Sequence, residues 1–299
     1  MANDYVLTCC STCDLGDERL AERGIRKAYF HVIIGNDDFY DNIGVSITQE
    51  QMYKRILSGE EGHSSQVSTA QYLELFEPIL AEGKDILHLT LASGISGTIN
   101  SAQVAKATLA EKYPDRKMYI VDSASATGGF GVLMEILADM RDEGKSIDEL
   151  YEWVEANKLR QNLWFFVSDL TFLIRGGRVS KTSGTLGNLL NICPVMRLNP
   201  DSVIEVMEKV RGKKKVARRI VDIMAERAEN GTDYDGYCII NHSSPEEAEI
   251  TRAMIEETFP KLKGKVIVRL LGGTIGLHTG PGAVVLSYMG KERDPSTTS

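Results

Sequence analysis

Residues 86–106 read ILHLTLASGISGTINSAQVAK, and this stretch places a strand, a turn and a helix in direct succession. Its first residues have the apolar pattern of a buried strand, and its last residues have helical periodicity. Between them, Ser93, Ser96 and Thr98 lie around the free backbone N–H groups of a helix start. Such a point binds small anions, and the stretch alone does not distinguish a carboxylate from a phosphate.

The first half of the chain repeats this alternation of strands and helices. The predicted strands cover residues 5–8, 28–34, 86–91 and 118–122, with an edge piece at 39–41. The predicted helices cover residues 48–57, 69–80, 99–112 and 129–143. Alternating strands and helices indicate a mainly parallel sheet with helices on its faces.

The second half mixes crossovers with hairpins. The predicted helices cover residues 146–158, 169–175, 185–191, 215–230 and 245–259, and the predicted strands cover 162–167, 195–198, 203–208, 236–241, 266–271 and 283–289. The turn AsnProAspSer predicts a hairpin between two of these strands. We therefore expect an α/β fold of two domains. Residues 1–160 hold the mainly parallel sheet, residues 161–290 hold a mixed or antiparallel sheet, and residues 291–299 form a loose polar tail.

Composition excludes several classes of protein. The chain of 299 residues is 42% hydrophobic and 25% charged, as in a globular protein long enough for two domains. A net charge of −8 argues against a general nucleic-acid surface. No apolar run approaches the roughly 20 residues that cross a membrane, and the N-terminus lacks the pattern of a secretory signal. The five irregularly spaced cysteines fit a reducing, cytoplasmic setting.

Two more hydroxyl clusters lie at the ends of predicted elements. SSQVST at 64–69 precedes a helix, and Ser11 follows the first strand. Helix capping explains one hydroxyl in each cluster, but the three hydroxyls and two glycines at 93–98 exceed what one cap needs. Ligands of parallel sheets bind beyond the carboxyl ends of the strands, where these clusters are able to converge.

Two glycine-containing segments carry charged or titratable side chains. RGGR at 175–178 has two interpretations. It either directs a guanidinium toward an anion or ends a helix whose basic residues interact favourably with the helix dipole. HTGPG at 278–282 contains a turn, and its His278 is either structural or a hydrogen-bond donor to a ligand.

The six basic residues from Arg211 to Arg219 form either a solvated helix start or a docking patch for an acidic partner.

Several motifs of catalysis and cofactor binding are incomplete. VSKTSG at 179–184 has Ser180 where a phosphate-binding loop requires glycine, and Met134 replaces the third glycine of a dinucleotide fingerprint. The sequence has no HisGluXxxXxxHis and no paired CysXxxXxxCys motifs, so we expect no metal site. No serine lies in a GlyXxxSerXxxGly elbow, and Ser93 and Ser96 have no local base.

Taken together, the segments resemble the DegV family. The matching pieces are STCDL at 11–15, SSQVS at 64–68, SGISGTINSA at 93–102, VDS at 121–123, DLTFLIRGGRVS at 169–180, VRGKKK at 210–215 and HTGPG at 278–282. Each piece is weak alone, whereas the ordered set across nearly the whole chain is specific. Ser64 and Val67 depart from the usual Thr and Pro of the second segment, and Ile99 replaces a usual Tyr.

The resemblance implies two α/β domains that clasp one long-chain fatty acid, with the acyl tail in a closed apolar tunnel. A separate fatty acid kinase subunit would phosphorylate the carboxylate, so this chain would have no catalytic residue and no cofactor of its own. Ser64 and Ser96 would bind the carboxylate. Further residues implied near it are Ser93, Thr98 and His278, with Ser11, Ser65 and Thr279 as minor contributors. Arg178 would flank the head group, and Arg211 would lie on the kinase-docking face.

The energetics of a fatty acid agree with this implication. About 15 buried methylene groups contribute a gross ~12 kcal/mol, from which association costs remove several kcal/mol. A carboxylate that leaves water needs donors, which hydroxyls, helix-start N–H groups and a histidine supply. We expect no nucleic-acid partner and no stable membrane insertion, only transient membrane contact. Two other functions stay open: a lipid sensor whose ligand governs partner contact, and a hydrolase that uses Ser96 with His278.

Overall fold

The computed structural model describes residues 4–42, 44–168, 170–180 and 192–295. The strands are β1 (Tyr5–Cys10), β2 (Arg26–Ala28), β3 (His31–Ile34), β4 (Asp37–Tyr40), β5 (Gly62–Ser65), β6 (Asp85–Thr90), β7 (Met118–Asp122), β8 (Gln161–Phe166), β9 (Ile192–Leu198), β10 (Ile204–Arg211), β11 (Ile239–His242), β12 (Ile267–Leu270) and β13 (Val284–Met289). The helices are α1 (Asp17–Glu22), α2 (Gln49–Leu57), α3 (Thr69–Ala81), α4 (Thr98–Lys112), α5 (Thr127–Asp142), α6 (Ile147–Asn157), α7 (Thr171–Arg175), α8 (Lys213–Arg227), α9 (Pro245–Thr258) and α10 (Gly273–Thr279).

A four-stranded parallel sheet organises the first half of the chain. Its order is β2-β1-β6-β7, and Leu7 of β1 pairs with Leu87 of β6. All six residues of β1 are buried, because helices cover both faces of the sheet. The predicted parallel sheet is therefore confirmed.

A mixed six-stranded sheet organises the second half. Its order is β10-β9-β8-β13-β11-β12, and only the β11–β12 pair is parallel within it. The β9–β10 hairpin turns at the predicted AsnProAspSer, where Ser202 has a φ of 62°. The α/β class with a mixed second sheet is thus confirmed. A domain boundary between residues 160 and 161 stays a prediction.

A third, smaller sheet has the order β4-β3-β5 and packs against α10. Tyr53 of α2, Phe172 of α7 and Leu277 of α10 belong to the small apolar cluster beside this sheet. Neither β5 nor α10 is predicted from the sequence, because β5 is a short polar strand and α10 is rich in glycine, a poor helix former. Tertiary contacts hold α10 instead, including the Tyr53 hydroxyl, which lies within hydrogen-bond distance of the Gly276 carbonyl inside the helix and of the Gly280 carbonyl just after it.

The segment after β13 is not a loose tail in the part that the structure describes. Arg293 is buried, and its guanidinium donates to the backbone oxygens of Gln161 at 2.9 Å and Ala124 at 2.6 Å. Burial, followed by the positive charge of Arg197, lowers the pKa of Arg293 to about 10. The prediction of a loose tail from residue 291 is therefore wrong for residues 291–295, because a guanidinium inside the protein must be held by acceptors.

Capping residues in the sequence mark the first residues of three further helices. Thr48 forms a capping box with Gln51, and Ser68 and Ser146 form two more. The predicted helix at 185–191 lies outside the described residues. Within the described ranges, no helix combines the length and the apolar character needed to cross a membrane.

Candidate functional site

A largely apolar cavity lies where the three sheets approach one another. Leu163 and Phe165 contribute from one face of β8, and Val285 contributes from neighbouring β13. The other apolar lining residues are Phe30, Leu91, Ile95, Ala126, Leu173, Leu198, Ile204 and Ile275.

Ser64 and His278 form the polar centre of this cavity. Ser64 lies on β5 and His278 on α10, and the serine Oγ is 2.9 Å from the histidine Nε2. Burial, followed by the positive charge of Arg178, lowers the pKa of His278 to about 4. The imidazole is therefore neutral at pH 7 and donates only one hydrogen bond.

Ser96 reaches the cavity from the turn between β6 and α4. Its Oγ accepts a hydrogen bond at 3.3 Å from the backbone N–H of Thr98, the first residue of α4. The Nε of Arg178 donates to the carbonyl of Ile95 at 3.2 Å. That contact ties the turn to the segment that follows α7, so hydroxyl and guanidinium line the same cavity.

Arg178 is the one Lys or Arg side chain among the described residues that line the cavity. Burial lowers its pKa, and it is only partly exposed. The neighbouring Gly176 packs directly against His278, since a Cβ on Gly176 would lie 2.3 Å from the imidazole Nδ1. Gly176 of the RGGR segment thus leaves room for the imidazole of His278, and Arg178 of the same segment supplies a positive charge.

Several residues expected near the carboxylate lie elsewhere. The Ser93 side chain is exposed outside the cavity lining, because its backbone N–H is anchored 3.2 Å from Asp122 at the turn. The Thr98 hydroxyl points into the core and is 2.9 Å from the Tyr72 hydroxyl. The Ser65 side chain is exposed, because neighbours on a strand face opposite ways.

The hydroxyls of the two expected minor contributors, Ser11 and Thr279, bond within the protein, whereas Arg211, expected on a docking face, is exposed. The Ser11 Oγ accepts from the backbone N–H of Phe30 at 3.1 Å and is outside the cavity lining. Thr279 lines the cavity, but its hydroxyl donates to the carbonyl of Ile275 at 2.9 Å. Arg211 is exposed at the end of β10, away from the cavity lining.

Sequence reasoning missed Thr127 and Thr274, which both line the cavity. Thr127 follows β7 and has a φ of 44°, an unusual conformation for a β-branched residue. The hydroxyl-rich run at 123–127 follows a parallel strand directly. It is a signal of the same kind as the hydroxyl clusters at Ser11, 64–69 and 93–98. Thr274 had no comparable signal, because α10 itself was not predicted.

The arrangement does not support the alternative of a hydrolase that uses Ser96 with His278. His278 faces Ser64 instead, and a histidine with a pKa of about 4 is a poor base at neutral pH. Its Nδ1 packs against Gly176, whereas a catalytic histidine is normally oriented there by a third group. No cluster of three or more metal-ligating His, Cys, Asp or Glu side chains occurs among the residues that the structure describes.

The chain is similar to known proteins over nearly its whole length. The model of the DegV family matches residues 8–291. The chain belongs to the DegV family. A DegV domain-containing protein of Clostridium perfringens is 33% identical over 291 residues, which cover 97% of this chain and 99% of that relative.

Solved structures of DegV proteins have the same fold. A DegV family protein from Thermus thermophilus, described for its fatty acid binding, has a TM-score of 0.82 and 26% identity, covering 95% of this chain and 99% of that one. The Streptococcus pneumoniae Fatty Acid Kinase (Fak) B3 protein, loaded with linoleic acid, has a TM-score of 0.82 and 26% identity, covering 96% and 99%. Fatty acids are thus the bound ligands of these DegV neighbours.

Proposed function

We propose that this DegV protein binds one long-chain fatty acid, with the carboxylate beside Ser64, Ser96 and His278 and the acyl tail along the apolar lining. The observation that carries the proposal is the joining of one apolar cavity to one small polar cluster. The linoleic acid of the Streptococcus pneumoniae protein and the fatty acid binding of the Thermus thermophilus protein support it.

The balance of charge in the cavity also favours a carboxylate ligand. A carboxylate that leaves water requires donors, and the cluster offers hydroxyls, a neutral imidazole and the partly buried guanidinium of Arg178. The apolar lining favours the tail, at roughly 0.8 kcal/mol for each buried methylene group. Arg178 is the single positively charged side chain among the described residues that line the cavity. Its charge would therefore balance a ligand that carries one negative charge.

We further propose that the protein presents this carboxylate to the catalytic subunit of a fatty acid kinase and performs no chemistry itself. The Fatty Acid Kinase B3 neighbour supports such a role. The basic run at 211–219 offers a docking surface, because Arg211, Lys214 and Lys215 are exposed. Lys213 is engaged with Glu247 at 2.5 Å and Arg219 with Glu208 at 2.6 Å, so these two stabilise the fold instead.

We propose a cytoplasmic protein that takes up its ligand by transient contact with a membrane. Its two domains would cover residues 1–160 and 161–290.

The proposal is tested by mass spectrometry of the purified protein after denaturation. We expect about one long-chain fatty acid per chain. Repeatedly empty preparations that also fail to take up added fatty acid would refute the proposal, and esterase turnover in them would favour a hydrolase.

A further inference from the structure

Two buried carboxyl groups meet at the start of α10, the helix that carries His278. Asp14 follows β1 and Asp41 follows β4, and both side chains are almost fully buried. A Cβ on Gly272 would lie 2.5 Å from an oxygen of Asp14 and 2.9 Å from an oxygen of Asp41. Only glycine leaves room for both carboxyl groups at this point, and because each has an oxygen within 3 Å of it, those two oxygens are at most about 5.4 Å (2.5 + 2.9 Å) apart.

No cation balances this pair among the described residues. Neither Asp14 nor Asp41 forms an ion pair there, and the groups that act on Asp14 by hydrogen bonding are the Thr127 hydroxyl and the backbone N–H of Gly272, which offset only part of the effect of burial on its pKa. Thr127 of α5 faces Asp14, and Thr274 of α10 faces Asp41. The polar group from β11 is Asn241, whose Nδ2 donates to the Asp14 carbonyl at 3.2 Å.

The nearby titratable groups do not supply a positive charge either. Asp17 of α1 acts on Asp41 but is itself paired with Lys27 at 3.1 Å. The group next along β11 is His242, whose pKa is lowered by burial, so its imidazole is neutral at pH 7. Two carboxylates enclosed together without a cation cannot both be charged at low cost, and one proton between them removes most of that cost.

The pair is connected to the cavity on two sides. An oxygen of Asp41 accepts from the backbone N–H of Gly273, the first residue of α10, at 2.6 Å. The backbone N–H of Asp41 donates to the carbonyl of Phe30 at 2.9 Å, and Phe30 lines the cavity. Asp41 therefore joins one wall of the cavity to the helix that presents His278.

We propose that Asp14 and Asp41 are positioning residues that share one proton, and that this protonated pair holds the start of α10 so that His278 stays against Ser64. The proposal rests on the fatty-acid-binding function proposed above. When the shared proton leaves, two adjacent negative charges repel each other, the start of α10 loosens and the fatty acid is released faster.

The direction of the pH dependence follows from the protonation of the pair. Burial, followed by the negative charge of Asp41, raises the pKa of Asp14 to about 8, and burial also raises the pKa of Asp41. The pair therefore keeps a proton at pH 7 and loses it as the pH rises through about 8. Release of a bound fatty acid should be slow and nearly constant below that pH and faster above it.

The test measures the release rate of a preloaded fluorescent long-chain fatty acid between about pH 6 and pH 9.5. We expect the rate to rise about fivefold or more across pH 8 in the unmodified protein. Asp14→Asn keeps the shape of the side chain without the charge, so it should release at the unmodified pH 7 rate and show no rise. Asp41→Asn serves as the second variant if the first does not fold. The exposed Asp115→Asn is the control and should keep the rise.

Three results would overturn the proposal: a flat profile in the unmodified protein, an unchanged rise in both Asn variants, or a rise that depends on Ca²⁺ and disappears with EDTA. The last result would mean that a bound cation balances the pair. If the fatty acid does not bind at any pH, the proposed function fails. Carbon NMR titration of the aspartate carboxyl groups in the empty protein then still tests the shared proton, and a titration of both groups near pH 4 would refute it.

Discussion

The Oγ of Ser64 lies 2.9 Å from the Nε2 of His278, although 214 residues separate the two in the chain. The serine is on β5 at the edge of the smallest sheet, and the histidine is in the last turn of α10. Their contact forms the polar centre of an otherwise apolar cavity.

Ser64→Ala should weaken fatty-acid binding by about tenfold or more, because a hydrogen bond to a charged group contributes roughly 1.5–3 kcal/mol. Ser64→Thr should restore most of the affinity, since it keeps the hydroxyl. Fluorescent fatty-acid titration measures the change. Ser65→Ala is the matched control, because the adjacent side chain is exposed on the other face of β5 and should change affinity by less than about twofold. Equal losses at both positions would argue against a specific role for Ser64.

Ser96 and Ser93 allow a second paired comparison within one turn. Ser96→Ala should weaken fatty-acid retention about tenfold and also cost about 1 kcal/mol of stability, because its Oγ accepts a hydrogen bond from the backbone N–H of Thr98 at the start of α4. Ser93→Ala should leave both quantities nearly unchanged, since that side chain is exposed outside the cavity lining. Retention is measured by mass spectrometry and stability by urea unfolding. Loss of retention in Ser93→Ala alone would contradict this assignment.

The protonation of His278 should report ligand binding. Its pKa of about 4 reflects burial and the charge of Arg178, and a nearby carboxylate favours the protonated ring. Loading with fatty acid should therefore raise the pKa of His278, which NMR titration of the imidazole can follow. In the empty protein the lowered pKa makes the free energy of unfolding decrease as the pH falls from about 6.5 to 4, and His278→Gln should remove that part of the decrease. An unchanged pKa on loading would place the carboxylate away from His278.

Gly176→Ala tests the packing that positions His278. The added Cβ would lie 2.3 Å from the imidazole Nδ1, so the ring must move. We expect a destabilisation of about 1–3 kcal/mol together with weaker fatty-acid binding. Gly97→Ala is the control, because its Cβ would meet the ends of the Gln66 and Asn100 side chains, at 3.3 and 3.7 Å. Unchanged binding in Gly176→Ala would show that His278 is not needed in this position.

Arg211→Glu tests the proposed docking surface. With a fatty acid kinase catalytic subunit and ATP, acyl-phosphate formation should fall at least tenfold, because reversing a charge at an interface replaces attraction with repulsion. Fatty-acid binding should stay unchanged, since Arg211 is exposed and outside the cavity lining. Lys263→Glu reverses an exposed charge on a different part of the chain and should have no effect. Equal activity of both variants would remove the basic run from the docking surface.

Local patterns in the sequence predicted much of the fold. The strand at Met118–Asp122 and the helix from Gln49 have strong periodicity or a complete cap, and both occur where expected. The polar clusters after the parallel strands indicated the site region, as Ser96 shows. The same clusters also led us to expect Thr98 and Ser11 near the carboxylate, whereas both hydroxyls hydrogen-bond within the protein. The sequence does not reveal which way a hydroxyl faces.

The sequence by itself determined the α/β class, the order of the main strands and helices, and the family motifs, because these depend on periodicity, capping and short-range turns. Only the tertiary structure decided that Ser64 meets His278, that Gly176 makes room for that histidine and that Arg293 is buried. Each of these contacts joins elements distant in sequence. The glycine-rich α10 in particular has weak helical preference of its own and is held by its neighbours.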